Sequence, residues 1–445
     1  MQAPSAFRRR LPGEANQLFD DDLPADFVPA ILLAAPPPAP VFAAPTALTQ
    51  AIAQPGPNRV GTGAAQAMLA DRAAASFGLT GKGVKIGILS DSFNLKGGLA
   101  ENIRRGEIGA ATILKEGPRG GSDEGRAMAE LIHRIAPDAE VVFYSAFWGE
   151  ADFARGITAL AAAGCDVIVD DVTYLAEPFF QDGANVQRAV QQVVGQGVSY
   201  FTSAGNAGAN FYQASFAGTK ATLQGLAGSY LVQNFGSAGA PKTTQSLTIA
   251  RGATTTLSLQ WDQPFASIGT GRAAANSLGM VLYDSNNRIV AYTLANDVGG
   301  NPTQTLQFTN RSSSTAFGLA IVANGGKTPP GQFKYIAYGQ GTVINDPNAG
   351  RGSGTLTGHA LVAEANTVGA MAYYNARAFG GRQIMESFSA VGPGTLLFDA
   401  KGNRTTKPQP GMGVDFTAPD GSATSASPPS SAPPPPPPTP PRWRR

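Results

Sequence analysis

Between residues 84 and 205, continuous apolar runs of strand length alternate with segments whose apolar positions recur every three or four residues. The runs are "VKIGILS", "AEVVFYSA", "CDVIVDDV" and "VSYFTSAG". They are too uniformly apolar for strands with one wet face and suit strands buried on both. The periodic segments are "SDEGRAMAELIHRIAP", "EADFARGITALAAAG" and "NVQRAVQQVVGQG". The first of them spaces Ala127, Leu131, Ile132 and Ile135 as a helix does and stops at Pro137. Strands and helices taking turns at this spacing predict an α/β fold built on a doubly wound parallel sheet. Sites in such sheets lie at the carboxyl ends of the strands, which points to Asp91, Asp170, Asp171 and Asn206.

From about Phe216 to Tyr338 the helical period disappears, and short alternating runs such as "QSLTIA", "TTTLSLQW", "TQTLQFTN" and "FGLAIVAN" are separated by turn signals such as "DSNN" and "ANGG". This predicts an inserted antiparallel β-sandwich. The α/β pattern then resumes with "GHALVAEANTVGAMAYYN", whose first half reads as a helical segment opened by His359. The expected organisation is a flexible Pro/Ala-rich leader at 1–60, the α/β domain at 61–215 and 339–421, the sandwich at 216–338, and a disordered Pro-rich tail at 422–445. Consecutive prolines exclude a helix or a central strand from that tail.

Composition narrows this picture only slightly. A chain of 445 residues can bury a large core in two or three domains. The net charge is +2 with no basic stripe, which gives no electrostatic ground for a nucleic-acid partner. Cys165 is the single cysteine, so no internal disulfide can form, and its setting in "AAAGCDVIV" reads as a small buried residue. "FVPAILLAAPPPAPVFAAPTA" is broken by proline well short of the roughly 18 residues of a membrane span. An acidic run follows the N-terminal basic cluster where a signal peptide would carry its apolar core, so localisation stays open.

Five blocks, in order, carry a resemblance. "GKGVKIGILSDSF", "DEGRAMAELIHRIAP", "VSYFTSAGNAG", "ESFSAVGP" and "KPQPGMGVDFTAPDG" resemble the conserved blocks of subtilisin-like serine proteases, the group that includes the sedolisins. The match spans about residues 78–215 and 355–421. It implies a serine-type endopeptidase acting on polypeptides, with no cofactor or metal and with a secreted or cell-envelope setting.

On this resemblance Asp91 stands at the position of the catalytic Asp, Glu124 where a subtilisin carries His, and Asn206 at the oxyanion donor. Taken without it, Asp91 in "SDSFN" is equally a turn or capping residue. Glu124 is equally a first-turn acid, or the end of a capping box begun by Gly121 or Ser122. Asn206 is equally an Asn-turn residue beside Gly205 and Gly208. A carboxylate base works at acid pH unless burial raises its pKa. Sedolisins pair their Glu with an Asp one turn later, and here that position is Met128. Asp170 and Asp171 are secondary candidates for the lining of the site. His133 lies on the opposite side of its helix from Glu124, and His359 reads as structural.

The nucleophilic Ser of the family follows the "APDG"-like block by a short loop and opens a buried helix. Here "SATSASPPSS" follows Gly421. Ser425 comes too soon after it, and prolines at about 3 kcal/mol each in a helix interior forbid the helix. Ser203 and Ser389 belong to other blocks. The expectation is a peptidase homologue without its nucleophile segment. The competing expectation is a non-catalytic binding protein whose sandwich recognises protein or carbohydrate while the α/β part serves as scaffold.

Overall fold

The computed structural model describes residues 61–425; the expected leader and all of the expected tail beyond Ser425 lie outside them. Seven parallel strands form the central sheet: β1 Lys85–Ser90, β2 Ala111–Lys115, β3 Glu140–Ser145, β4 Val167–Asp170, β5 Ser199–Ser203, β6 Asn366–Ala372 and β7 Phe416–Asp420. Their order is β2-β3-β1-β4-β5-β6-β7, and every ladder is parallel. The helices are α1 Thr62–Ala67, α2 Ala70–Phe77, α3 Leu99–Arg104, α4 Glu124–Ile135, α5 Glu150–Ala162 and α6 Asn185–Gly195. The protein is therefore α/β, with antiparallel sheets inserted between β5 and β6.

The period-2 alternation of the strands assigns their residues to two faces. On one face Leu89, Val142, Ile168 and Tyr200 pack with Phe153, Ile157 and Leu160 of α5 and Val186, Val190 and Val193 of α6. On the other, Ile88, Val141 and Phe143 pack with Ala129 of α4, with Phe93 and Ile108 closing the cluster. Among the described residues that second layer stops short. Val167 and Val169 of β4, Phe201 of β5 and Val368 of β6 alternate with buried neighbours yet stay only partly buried themselves. With Ile86 and Ile132 they line an apolar groove of about 440 Å³.

The insertion stacks two antiparallel sheets. One runs in the order Thr303–Thr309, Thr254–Trp261, Gln332–Tyr338 and Phe211–Ser215; the other is centred on Asn276–Asp284 and Ala316–Gly326. Between them lies a core that includes Leu257, Leu259, Trp261, Met280, Leu282, Leu319, Ile321, Phe333 and Tyr335. Its ladders start at Phe211 and reach Ile344, because Phe211–Ser215 pairs with Gln332–Tyr338 and Thr342–Ile344 pairs with Gln245–Ile249.

The expected helix at "GHALVAEA" is not formed. Only Gly358–Leu361 turn, as one 3-10 turn, before the chain enters β6. Gly358 has φ of 58°, and Glu177 accepts both the His359 backbone N–H at 3.2 Å and a bond with His359 Nδ1 at 2.7 Å. The segment is anchored to a neighbouring loop instead of coiling on itself.

Candidate functional site

Asp91 follows β1 and is 1% exposed. Its carboxylate meets the start of α4. Oδ2 accepts the Ser122 backbone N–H and, at 2.7 Å, the Ser122 hydroxyl, while Oδ1 accepts the Glu124 backbone N–H at 3.0 Å. The amides at a helix start have no partner inside the helix and carry partial positive charge, so a carboxylate there is doubly favoured. Asp123 occupies the cap position with φ of 64° and makes no side-chain cap bond. The capping-box reading of Glu124 does not hold, because the acceptor arrives from β1.

The Glu124 carboxyl is left free of that duty. Burial, and then the charge of Asp91, push its pKa up to about 7. Asp171, one residue beyond β4, accepts the Ser90 hydroxyl at 2.9 Å. Its pKa stands well above the ordinary carboxylate range, first through burial and next through the charge of Glu124, with Asp170 and Asp91 adding to it. Three carboxyls thus gather at the carboxyl ends of β1 and β4, where burial and mutual repulsion raise the proton affinity of Glu124 and Asp171.

Asn206 lies in the bend after β5, with its side chain exposed. Gly205 and Gly208 flank it at φ of 89° and 53°. The bend is fastened to "ESFSAVGP": Gly208 N donates to Phe388 O at 2.7 Å and Ala390 N to Gly205 O at 2.9 Å. β1 and β5 are separated only by β4, which places Asn206 on the Asp91 edge at a lateral spacing of roughly 10 Å.

Ser425 is elsewhere. Its backbone N–H donates to Glu130 Oε2 at 2.7 Å and its hydroxyl to Glu130 Oε1, while Oγ accepts from Arg126 Nη1 at 2.9 Å and Asn102 Nδ2 at 3.1 Å. Glu130 lies about 9 Å along α4 from Glu124 and on a different side of it. Ser389 is buried and accepts the Ala370 N–H at 3.1 Å, and Ser203 lines the apolar groove. His133 is partly buried near the end of α4, away from Asp91.

Asp170 and Asp171, adjacent in sequence, serve different faces. Asp170 Oδ1 accepts the Thr202 hydroxyl at 2.9 Å and the Val172 N–H at 3.1 Å, and lies 3.3 Å from His359 Nε2. His359 is 1% exposed and is bridged on its other nitrogen to Glu177. Burial opposes its charge, but Glu177 and Asp170 outweigh burial and hold its pKa well above the usual value. Glu150 at the start of α5 is pushed up to about 7 by burial and by Glu177. Sequence reasoning read His359 as structural and marked neither Glu177 nor Glu150. Among the described residues no group of three or more His, Cys, Asp or Glu is placed to hold a metal ion, and no helix is long and apolar enough to cross a membrane.

No protein-family model matches the chain, and no curated protein matches it. Among solved structures it is similar to the CspB protease of Clostridium perfringens, at 11% identity and a TM-score of 0.44 over 80% of this chain and 78% of that one. It is also similar to a lanthipeptide protease, at 19% identity and a TM-score of 0.25, over 33% of this chain and 45% of that one. A family 35 carbohydrate binding module from an environmental isolate matches 31% of this chain over 97% of its own length, at 14% identity and a TM-score of 0.17.

Proposed function

We propose that this chain is a homologue of the subtilisin-like serine endopeptidases that keeps the base and the oxyanion donor and lacks the nucleophile. The observation that carries the reading is the grip of Asp91 on the start of α4, which sets Glu124 beside it with a pKa of about 7. A carboxylate titrating there can accept a hydroxyl proton near neutral pH. Asp91 orients this base through the backbone that bears it and disfavours loss of its proton. The exposed Asn206 amide is free to donate to a developing oxyanion. Ser425 does not complete the set, since its hydroxyl is committed to Glu130.

Peptide hydrolysis by the intact family passes through an acyl-enzyme, and without a nucleophile turnover should fall by orders of magnitude. The test has two arms. A fluorophosphonate probe should leave the chain as it stands unlabelled; a label on Ser425 would overturn the assignment. Replacing residues 422–445 with a Gly-Thr-Ser segment and helix from a related peptidase should create both labelling and peptide cleavage, and Glu124→Gln should then cost roughly 10²-fold or more in turnover. A graft that cleaves peptides equally well with Gln at position 124 would remove Glu124 from the mechanism.

A further inference from the structure

Parallel sheets are stable because both faces are covered, and among the described residues part of one face is left uncovered. The groove lined by Ile86, Val167, Val169, Phe201, Val368 and Ile132 is almost wholly apolar. At about 440 Å³ it is nearly three times the ~150 Å³ of an engineered cavity that stays dry and takes up benzene. We propose that this groove is the seat of residues Phe27–Ala35 of the same chain, "FVPAILLAA", docked across the bare strands.

Three observations favour this occupant. The first is composition: Phe27, Val28, Ile31, Leu32 and Leu33 form the densest run of large apolar side chains outside residues 61–425, whereas residues 426–445 offer only Trp443. The second is where the leader joins the fold. Residues 421–425 run from the edge strand β7 to α4, and on this crossing Gly61 N donates to Ala423 O at 2.9 Å. A β-carbon on Gly61 would stand 3.3 Å from the Leu131 side chain, and the next residue, Ile132, lines the groove. The leader therefore joins the described fold beside the uncovered face.

Reach is the third. Residues 36–60 separate the run from Gly61, and even as a random coil such a linker spans roughly 25–30 Å. Tethering at that length gives the run an effective concentration in the millimolar range, far above that of a second copy in solution.

The experiment is a disulfide trap in the full chain. Cys165→Ala removes the native thiol; Leu32→Cys is then combined with Val169→Cys, and Ser430→Cys with Val169→Cys serves as the tethered control. Under mild oxidation, peptide mapping should find the intramolecular 32–169 bond at several times the yield of the 430–169 bond. Equal yields, no bond, or only disulfide-linked dimers would each overturn the proposal, the last by naming a second copy as the occupant. A second measurement leaves the groove untouched: Ile31→Asp with Leu32→Asp should raise hydrophobic-dye fluorescence several-fold, and Val41→Asp should not. Dye binding that is already strong and does not respond to those substitutions would count against the leader. None of these outcomes depends on peptidase chemistry.

Discussion

The Asp91 carboxylate accepts the backbone N–H of Glu124 at 3.0 Å, so one acid fixes the main chain of another while repelling its side chain. The same contact that starts α4 also raises the proton affinity of the first helical residue. Structure and titration are tied at this point, and removing Asp91 should disturb both.

Asp91→Ala should destabilise the fold by about 1–3 kcal/mol, because it strands the buried amides at the start of α4. It should also lower the Glu124 pKa, but only part of the way, since burial is the larger cause of the shift. Denaturant titration gives the first quantity and carboxyl-carbon NMR titration of Glu124 the second. A full return to 4.5 would mean that burial contributes nothing.

Glu124 is an acid whose folded pKa exceeds its unfolded value, so the folded state binds the extra proton. Its contribution to stability falls as pH rises from about 4.5 to about 7 and is level beyond. Glu124→Gln should therefore gain in melting temperature relative to the parent between pH 5 and 7.5. A difference that is flat across this range would place the carboxyl in water.

Lys334 is fully buried, with Nζ 3.3 Å from Ser353 Oγ and from Gly354 O and lying over the Phe179 ring, and burial lowers its pKa from 10.5 to about 7. A base depressed by folding disfavours the native state wherever the unfolded chain binds the proton, so stability from this group rises between pH 7 and 10.5. Lys334→Met should stabilise the protein by several kcal/mol at pH 7, and the advantage should shrink by pH 10. Parallel melts of the two proteins across this range measure the closing gap.

His359 between Glu177 and Asp170 is a buried ionic group whose partners are already short of bonds: among the described residues Glu177 Oε1 and Asp170 Oδ2 have none. His359→Phe should cost about 3–5 kcal/mol, since it leaves two carboxylates buried without their cation. Glu177→Gln should cost less because it removes a charge with a bond. Chemical denaturation of both variants tests the ranking, and the reverse order would show that Glu177 carries the cluster.

The sandwich has its own core, so a fragment covering residues 209–346 should fold and give dispersed amide resonances. A fragment of 216–338 lacks Phe211–Ser215 and Thr342–Ile344 and should be less stable, with two unpaired strand edges. Phe211, Ile336 and Tyr338 also pack against Phe179, Phe180 and Phe398 of the α/β part, so either fragment will expose an apolar flank.

What the sequence made legible was whatever local pattern controls. β1, β3, β4 and β5 are runs of branched and aromatic residues, and α4, α5 and α6 repeat with a helical period. β2 escaped because an edge strand with an alternately exposed "ATILK" lacks a continuous apolar signature. Gly218–Ala221 pairs through backbone with hardly an apolar side chain. Asp91 and Glu124 could be marked because each follows or opens a recognisable element. The cluster around His359 could not, because its partner Glu177 lies 182 residues away and nothing local announces the pairing.

Consecutive aspartates at the end of β4 give that strand an unusual intolerance. Asp170 belongs with an imidazole on one side of the sheet and Asp171 with Glu124 on the other, and the assignment depends only on the parity of position along the strand. Deleting or duplicating Ile168, the single residue between Val167 and Val169, would move each carboxyl to the opposite face of the sheet without changing the charge. An alignment gap there would be a sharper warning than a substitution at either aspartate.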